Sequence, residues 1–244
     1  TQGYSSAASD VYKRQSEYGE EDGGLAYEGD VYFDFDVENI FGDEDGNLYA
    51  LGNSGPLVRW GTEEDEVLLN YCVMVSLHPS GKKAVGWSYS NSITEYDFET
   101  GTNKERVIDP VEGINSVSVT KDYQAVCGYK ESETLLNIYD NNWNEVMTIS
   151  STDTESGMLE GVSAFEQTQN GWVIFDSWME NVIFVGFDGA ILKEVSYEEL
   201  FGTLNWPYVN GTCMDEEGNV IVAITDQRED ASCYETIIFK LKGF

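Results

Sequence analysis

The sequence predicts an all-β protein built from repeated short antiparallel strands. Five tight polar turns recur along the chain, each between two short apolar segments. A second landmark, an aromatic residue followed by aspartate, recurs later in several of these repeats. Helical periodicity is scarce, and one helical turn is expected at residues 197–201.

The five turns share one plan. Four of them hold glycine near the same place, which suits a hairpin that needs positive φ. The turns are residues 43–47, 78–82, 120–124, 167–171 and 215–219. The strands expected to follow them are residues 48–51, 84–87, 125–129, 172–175 and 220–225. Successive turns are 35, 42, 48 and 47 residues apart.

The aromatic-aspartate pairs define a third strand in each repeat. They are Tyr96-Asp97, Tyr139-Asp140 and Phe187-Asp188, with the aspartate 16 or 17 residues after the turn. A fourth short strand is expected at residues 106–108, 145–149 and 192–195. Four strands in a repeat of this length is the plan of a β-propeller blade. A β-sandwich with regular turns is the alternative.

These landmarks resemble those of the β-propeller repeat proteins of the WD40-like, NHL-like and quinoprotein-like group. The aromatic-aspartate pair stands where WD40 repeats carry Trp-Asp, whereas the Gly-His half of that signature is missing. The resemblance covers about residues 30–244 and implies five blades, at residues 30–70, 71–110, 111–156, 157–204 and 205–244. It implies an architecture and leaves the activity open, since propellers host both binding proteins and enzymes.

The N-terminal residues read differently from the repeats. Residues 1–15 resemble a translated sequencing adapter at the edge of a metagenomic reading frame; a disordered tail or an expression scar is the alternative. We expect residues 1–29 to be artefactual or disordered and acidic. The chain is then expected to be a C-terminal fragment of a six- to eight-bladed propeller, with a closed five-bladed one as the alternative. The last blade is expected to lack its own fourth strand; residues 29–36 either supply it or are the remnant of a preceding blade.

Charge narrows the choice of partners. The 244 residues include 45 Asp and Glu against 13 Lys and Arg, a net charge of −32. Binding to nucleic acid or to anionic lipid needs the opposite sign, so neither partner is expected. No apolar run approaches the roughly 20 residues of a membrane helix, and no membrane insertion is expected. The acidity favours an exported or cell-surface bacterial protein, whose signal peptide would lie upstream.

Catalytic motifs are scarce. The single histidine, His78, lies in a turn beside Pro79, and neither a P-loop nor a G-x-G-x-x-G motif is present. None of the four cysteines forms a C-x-x-C pair. Cys213 and Cys233 fall on next-but-one strands, about 10 Å apart, which exceeds the reach of a disulfide. Free thiols are therefore expected.

Two weak cation sites are candidates, although no cofactor is required. Asp43, Asp45 and Asn47 resemble the start of a calcium loop, but no glutamate closes it; a polar hairpin turn is the alternative. Glu112 and Glu160 each precede a glycine that opens an innermost strand, where they would surround the mouth of the channel. A solvated glutamate beside a glycine at a crowded strand start is the simpler interpretation.

Aromatic residues give the strongest indication of a binding surface. In a propeller, the loops between strands two and three and those between blades emerge on one face. The residues predicted there are Trp87, Tyr89, Trp178, Trp206 and Tyr208, with Asp226 and Arg228 nearby. Such side chains suit sugar rings or peptide side chains. Alternatively, they fill gaps between blades.

These observations favour a non-catalytic binding or scaffold propeller that presents this aromatic face to a peptide, protein or glycan. The alternative is a propeller glycosidase or lyase that uses paired carboxylates, with or without Ca²⁺.

Overall fold

The computed structural model describes residues 35–52, 54–60, 65–88, 90–154, 159, 161–215, 217–227 and 234–242. Within these residues the predicted all-β fold is confirmed, because nearly all regular structure is antiparallel sheet. The chain divides into two compact units, with the boundary between Met74 and Val75. The expected N-terminal segment, residues 1–29, lies outside the described residues.

The first unit contains one four-stranded antiparallel sheet in chain order. Its strands are β1 (Val37–Gly42), β2 (Leu48–Gly52), β3 (Leu57–Arg59) and β4 (Glu66–Leu69). Tyr49, Ala50 and Leu51 are all buried, so β2 is covered on both faces. A continuous apolar run is the sequence pattern of such a strand.

The second unit contains four antiparallel sheets, each with its strands in chain order. One comprises β5 (Met74–Leu77), β6 (Lys83–Trp87), β7 (Ser92–Asp97) and β8 (Thr102–Val107). The next comprises β9 (Gly113–Val119), β10 (Tyr123–Lys130), β11 (Glu133–Asp140) and β12 (Glu145–Ser150). Then follow β13 (Val162–Gln167), β14 (Gly171–Asp176), β15 (Asn181–Gly186) and β16 (Ile191–Ser196). The last sheet has three described strands, β17 (Tyr208–Met214), β18 (Val220–Gln227) and β19 (Tyr234–Leu241).

Consecutive sheets of the second unit pack against each other through apolar side chains. Val85 and Ile93 of one sheet pack with Ile114 and Val117 of the next. The later sheets are joined by two equivalent clusters, one containing Cys127, Ile138, Ile174 and Ile183, the other Phe175, Val182, Val209 and Ile224. Because the middle strands have neighbouring sheets on both faces, they are apolar throughout; all six residues of β14 are buried.

The first strands of these sheets lie side by side, β9 beside β13 and β13 beside β17. The Ser116 hydroxyl on β9 donates to the carbonyl oxygen of Val162 on β13. In the outermost β8, by contrast, five of six residues are exposed. Sheets that place their first strands together and their fourth strands outward are the blades of a propeller.

The hairpins follow the predicted plan closely. Each strand that was expected after a turn is present, and Gly46, Gly81 and Gly218 have φ values of 81°, 67° and 80°. The third turn has no glycine, and there the Thr120 hydroxyl accepts a hydrogen bond from the Tyr123 N–H at 3.2 Å. One expectation was wrong in extent: the fourth strand of the second sheet begins at Thr102 rather than at residue 106.

The helical turn predicted at residues 197–201 is present as α1 (Tyr197–Phe201). The Ser196 hydroxyl accepts a hydrogen bond from the Glu199 N–H at 3.1 Å and so caps its start. It ends at Gly202, where φ is 84° and the N–H donates to the Glu198 carbonyl oxygen at 3.0 Å. Among the described residues, no helix is long and apolar enough to cross a membrane.

Candidate ligand-binding face

Four exposed aromatic side chains mark one end of the second unit. In an antiparallel meander, the turn from the second to the third strand lies at the same end as the connection into the first strand. Trp178 lies in a turn of the first kind, after β14, and Trp206 in a connection of the second kind, before β17. Tyr129 near the end of β10 and Tyr208 at the start of β17 belong to the same end. We call these four residues the aromatic end.

Trp178 is positioned by the buried Asp176. One Asp176 oxygen, Oδ1, accepts hydrogen bonds from the N–H groups of Gly161 at 3.1 Å and of Trp178 and Met179 at 3.0 Å each. The indole lies against Gly161, where an added Cβ would come within 2.1 Å of the Trp178 Cδ1. The side chain is nevertheless 73% exposed, so it covers glycine backbone and leaves most of its surface to solvent.

Tyr129 repeats this arrangement in the preceding sheet. A Cβ added to Gly113 would lie 2.5 Å from the Tyr129 Cε1, and the Tyr129 carbonyl oxygen accepts from the Glu112 N–H at 2.8 Å. The predicted site did not include Tyr129. The glycines that open two of the innermost strands were the available signal, because Gly113 and Gly161 precede their aromatic partners by 16 and 17 residues.

A buried hydroxyl network joins Trp178 to Tyr208. The Ser177 Oγ accepts a hydrogen bond from the Val209 N–H at 2.9 Å and lies 2.7 Å from the Ser163 Oγ. The Tyr197 hydroxyl lies 3.4 Å from the Ser177 Oγ. Burial raises the pKa of Tyr197 far above its ordinary value. The network is therefore uncharged and connects β13, β14, α1 and β17. Two of the exposed aromatics directly adjoin its central hydrogen bond, since Trp178 follows Ser177 and Tyr208 precedes Val209.

Trp206 follows a residue, Asn205, whose backbone N–H and carbonyl oxygen are both hydrogen-bonded to the end of β18. The Asn205 N–H donates to the Asp226 Oδ1 at 2.6 Å, and the Gln227 N–H donates to the Asn205 carbonyl oxygen at 2.8 Å. Trp206 itself has φ of 51° and is 81% exposed. Residues other than glycine rarely adopt this backbone conformation.

Of the other aromatic residues predicted for this face, Trp87 is described by the structure. Trp87 is half-buried and packs against the cluster between the first two sheets of the second unit. Its Nε1 is buried and has no hydrogen-bond partner among the described residues. Tyr89 and Arg228 lie outside the described residues. A role for any of these residues in ligand binding stays a prediction.

The carboxylate predicted to start a calcium loop is occupied by its own turn. The Asp43 Oδ1 accepts from the N–H groups of Asp45 at 3.0 Å and Asn47 at 2.8 Å. The Oδ2 accepts from the Asn47 amide and the Tyr49 hydroxyl, both at 2.7 Å. Burial would raise the pKa of Asp43, but these hydrogen bonds together lower it. The carboxylate is thus held ionised as a cap for the hairpin.

The same five-residue turn occurs twice more. Asp140 with Asn144 and Asp215 with Asn219 repeat the spacing and the hydrogen bonds, with positive φ at Trp143 and Gly218. The carboxylate of Asp215 also binds the Lys240 ammonium at 2.7 Å, which is the largest of the effects that lower its pKa. The similar sequences of residues 43–47 and 215–219 therefore reflect the same type of turn.

No group of three or more His, Cys, Asp or Glu side chains arranged to hold a metal ion is found within the described part of the chain. Glu112 is exposed beside Gly113, and Glu160 lies outside the described residues. Calcium binding stays a prediction.

Glu166, on β13, is a titratable group that the sequence did not single out. Its Oε1 accepts a hydrogen bond from the Thr212 hydroxyl of β17 at 2.8 Å. Burial raises the pKa of Glu166 to about 7, although the hydrogen bond from Thr212 by itself lowers this pKa. Glu166 comes four residues after Val162, so it lies about 13 Å along the strand from the aromatic end.

Cys127 and Cys213 are free thiols, as expected, and the Cys72 thiol donates to the Gly55 carbonyl oxygen. Cys72 and Cys127 are buried, whereas Cys213 is exposed; Cys233 lies outside the described residues. Burial raises the pKa of Cys127 to about 12, so this thiol is protonated and unreactive at neutral pH.

Comparison with known proteins supports the fold and leaves the family open. A similar solved structure is the β-propeller domain of Cps50 (Swd1) from Myceliophteria thermophila. It is 10% identical, is aligned over 87% of this chain and 74% of that chain, and has a TM-score of 0.53. No protein-family model and no curated protein matches the sequence. The protein is a β-propeller repeat protein, as its turns and aromatic-aspartate pairs predicted.

Proposed function

We propose that the protein is a non-catalytic binding module, a scaffold propeller whose aromatic end takes a peptide, protein or glycan ligand. Large exposed aromatic side chains give much contact area for little loss of conformational entropy. Four such side chains at one end, three of them on segments that the hydrogen bonds of Ser177 and Asp226 hold together, provide a pre-organised surface.

Trp206 is the observation that carries this proposal. An indole that is 81% exposed adds little to the stability of the fold, yet it occupies a backbone position that favours glycine. Left-handed conformation costs a residue with a side chain about 1–2 kcal/mol. Retaining the largest side chain at such a position is expected where that side chain has a ligand to contact.

The position of Glu166 argues against extending the proposal to glycoside hydrolysis. That chemistry needs a pair of carboxyl groups flanking the scissile bond. The raised pKa of Glu166 suits a general acid, but its hydrogen-bond partner is the hydroxyl of Thr212. Glu166 and Thr212 lie along the inner strands, away from the aromatic end.

The test is a binding screen of the full chain against arrays of unstructured peptides and of glycans. Any ligand found is then titrated against the wild type, Trp178→Ala and Trp206→Ala. Leu192→Ser is the matched control, because Leu192 is 61% exposed at the opposite end of its sheet. We expect each tryptophan variant to weaken binding about fivefold or more, and the control to leave it unchanged.

Two results would contradict the proposal. The first is a ligand whose affinity is the same for both tryptophan variants as for the wild type. The second is turnover of a glycan that is lost when one carboxylate is changed to its amide, which would make the protein an enzyme.

A further inference from the structure

The loops at the aromatic end carry negative charge without a compensating positive charge. Their described residues are 88, 90–91, 108–112, 131–132, 151–154, 159, 161, 177–180 and 202–207. Among these residues are five carboxylates and no lysine or arginine; the carboxylates are Asp109, Glu112, Glu131, Asp153 and Glu180. All five are exposed. Lys130, the last residue of β10, is exposed between Tyr129 and Glu131 in the chain and offsets part of this charge. With five carboxylates in these loops, the potential at this end is still negative.

Two of these carboxylates stand in the same relation to an exposed aromatic residue. Glu131 follows Tyr129 by two positions, and Glu180 follows Trp178 by two positions. Both glutamates have left-handed backbone, with φ of 55° and 53°. Glycine or asparagine would adopt this turn conformation more easily, so the glutamates are there at a cost to the turn.

Trp206 has an acidic neighbour as well. Asp226 accepts the hydrogen bond from the Asn205 N–H, so its carboxylate adjoins the segment that presents the indole. Tyr129 has a second acidic neighbour in Glu112, whose N–H donates to the Tyr129 carbonyl oxygen at 2.8 Å. Tyr129 and Trp178 are thus each followed two positions later by a glutamate, and Asp226 binds the segment that carries Trp206.

We infer that the ligand of the aromatic end is a cationic peptide segment, one that offers lysine or arginine side chains of a protein partner. This inference rests on the function proposed above. An ammonium or guanidinium group over an aromatic face gains from the electrons of the ring, and a neighbouring carboxylate neutralises its charge. A neutral glycan stacks on the aromatic rings and donates hydroxyl hydrogen bonds to carboxylates, but it brings no positive charge to balance them. The acidic residues near three of the four aromatic side chains therefore favour the cationic peptide.

Charge attraction alone must be separated from binding at this surface. With a net charge of −32, the chain attracts any polycation. The decisive variants are therefore those that leave the charge unchanged, Trp178→Ala and Trp206→Ala, with Leu192→Ser as the control. The charge variant is Glu131→Gln with Glu180→Gln. Its matched control is Asp122→Asn with Glu145→Gln, two exposed carboxylates at the opposite end, one in a turn and one at the start of β12.

The probe is a fluorescein-labelled peptide of alternating arginine and glycine, and its partner probe has citrulline in place of arginine. Fluorescence polarisation is measured with the full chain at low and at physiological ionic strength. We expect the arginine peptide to bind and the citrulline peptide to bind at least about tenfold more weakly. Each tryptophan variant should lose about fivefold, and Glu131→Gln with Glu180→Gln should lose affinity together with part of its salt dependence. Both controls should match the wild type.

The outcomes separate this inference from the proposed function. If the arginine peptide binds the tryptophan variants as well as the wild type, the attraction is general and the inference fails. If the arginine peptide does not bind but a glycan or a neutral peptide does, in a manner that needs Trp178 and Trp206, the inference fails and the proposed function stands. If no peptide and no glycan depends on these tryptophans, both fail.

Discussion

The Oγ of Ser177 accepts a hydrogen bond from the backbone N–H of Val209 at 2.9 Å, across 32 residues of sequence. Ser177 begins the turn that carries Trp178, and Val209 is the second residue of β17, next to Tyr208. One buried hydrogen bond thus ties the turn of one sheet to the first strand of the next. The spacing of two exposed aromatic residues depends on it.

Ser177→Ala should destabilise the protein. The substitution leaves the buried Val209 N–H without its acceptor, which costs about 1–3 kcal/mol of the free energy of unfolding. Chemical denaturation of the wild type and the variant measures the difference. Ser132→Ala, which changes an exposed serine in the turn between β10 and β11 at the same end, is the control and should be neutral within about 0.5 kcal/mol. An equal effect of the two substitutions would show that the Ser177 hydroxyl is not structurally important.

Gly161→Ala should displace the Trp178 side chain. The new Cβ would lie 2.1 Å from Cδ1 and 2.9 Å from Cβ of Trp178, so the whole side chain must move. Gly211→Ala is the control, because a Cβ there has nothing within 4 Å. A double-mutant cycle with Trp178→Ala isolates the clash, since Gly161→Ala should cost much less stability once the indole is gone. Additive free energies of unfolding would mean that Gly161 and Trp178 do not interact.

Trp206→Gly should be at least as stable as Trp206→Ala. In most exposed positions glycine is worse than alanine by about 0.5–1 kcal/mol because of chain entropy. At φ of 51°, however, alanine keeps the cost of left-handed backbone that glycine escapes. Denaturation of the two variants in parallel gives the sign. A glycine variant clearly less stable than the alanine variant would show that this backbone position is not strained.

Glu166 should make stability depend on pH. Burial raises its folded pKa to about 7 from an ordinary value of 4.5, so the folded state holds the proton more tightly than the unfolded state. At low pH both states hold the proton and the group costs nothing; the cost to folding grows as the pH rises between these two values and above pH 7 amounts to a penalty of roughly 3 kcal/mol.

Glu166→Gln removes this penalty. The variant should therefore gain stability over the wild type as the pH is raised from 4.5 to 7, and the gain should level off above that range. Urea denaturation across this range gives the free energy of unfolding of both proteins at each pH. The repulsion among the other carboxylates is common to both and cancels in the difference. Glu145→Gln, at an exposed position, is the control. A constant difference between Glu166→Gln and the wild type at all pH values would contradict the prediction.

Local sequence predicted the turns well because their chemistry is local. Asp43 and Asn47 make nearly all of the hydrogen bonds of their hairpin within five residues, so the pattern Asp-Glu-Asp-Gly-Asn is sufficient to indicate it. The helical turn at Tyr197 was predicted for the same reason, since its cap, Ser196, is its direct neighbour. The calcium interpretation of residues 43–47 drew on the same residues, but the oxygens of Asp43 are engaged by the turn itself.

The candidate site was predicted only in part. Trp178 and Trp206 follow from the rule that certain loops of a propeller share one face, and both are exposed. The same rule predicted Trp87, which is half-buried and packs against the cluster between two sheets, so its part in a ligand site stays a prediction. A tryptophan in a loop reads the same in sequence whether its indole faces solvent or a neighbouring sheet. Tyr129 was missed because it lies on a strand by its sequence pattern.

The sequence by itself determined the strands, their turns, the repeat and hence the propeller fold, because these depend on apolar runs and turn residues close together in the chain. Only the tertiary structure decided that Trp178 covers Gly161, that Ser177 binds Val209, and that Glu166 is buried against Thr212. Each of these contacts joins residues 17 to 46 positions apart. Their energies depend on how strands and sheets pack, which no local pattern of residue types specifies.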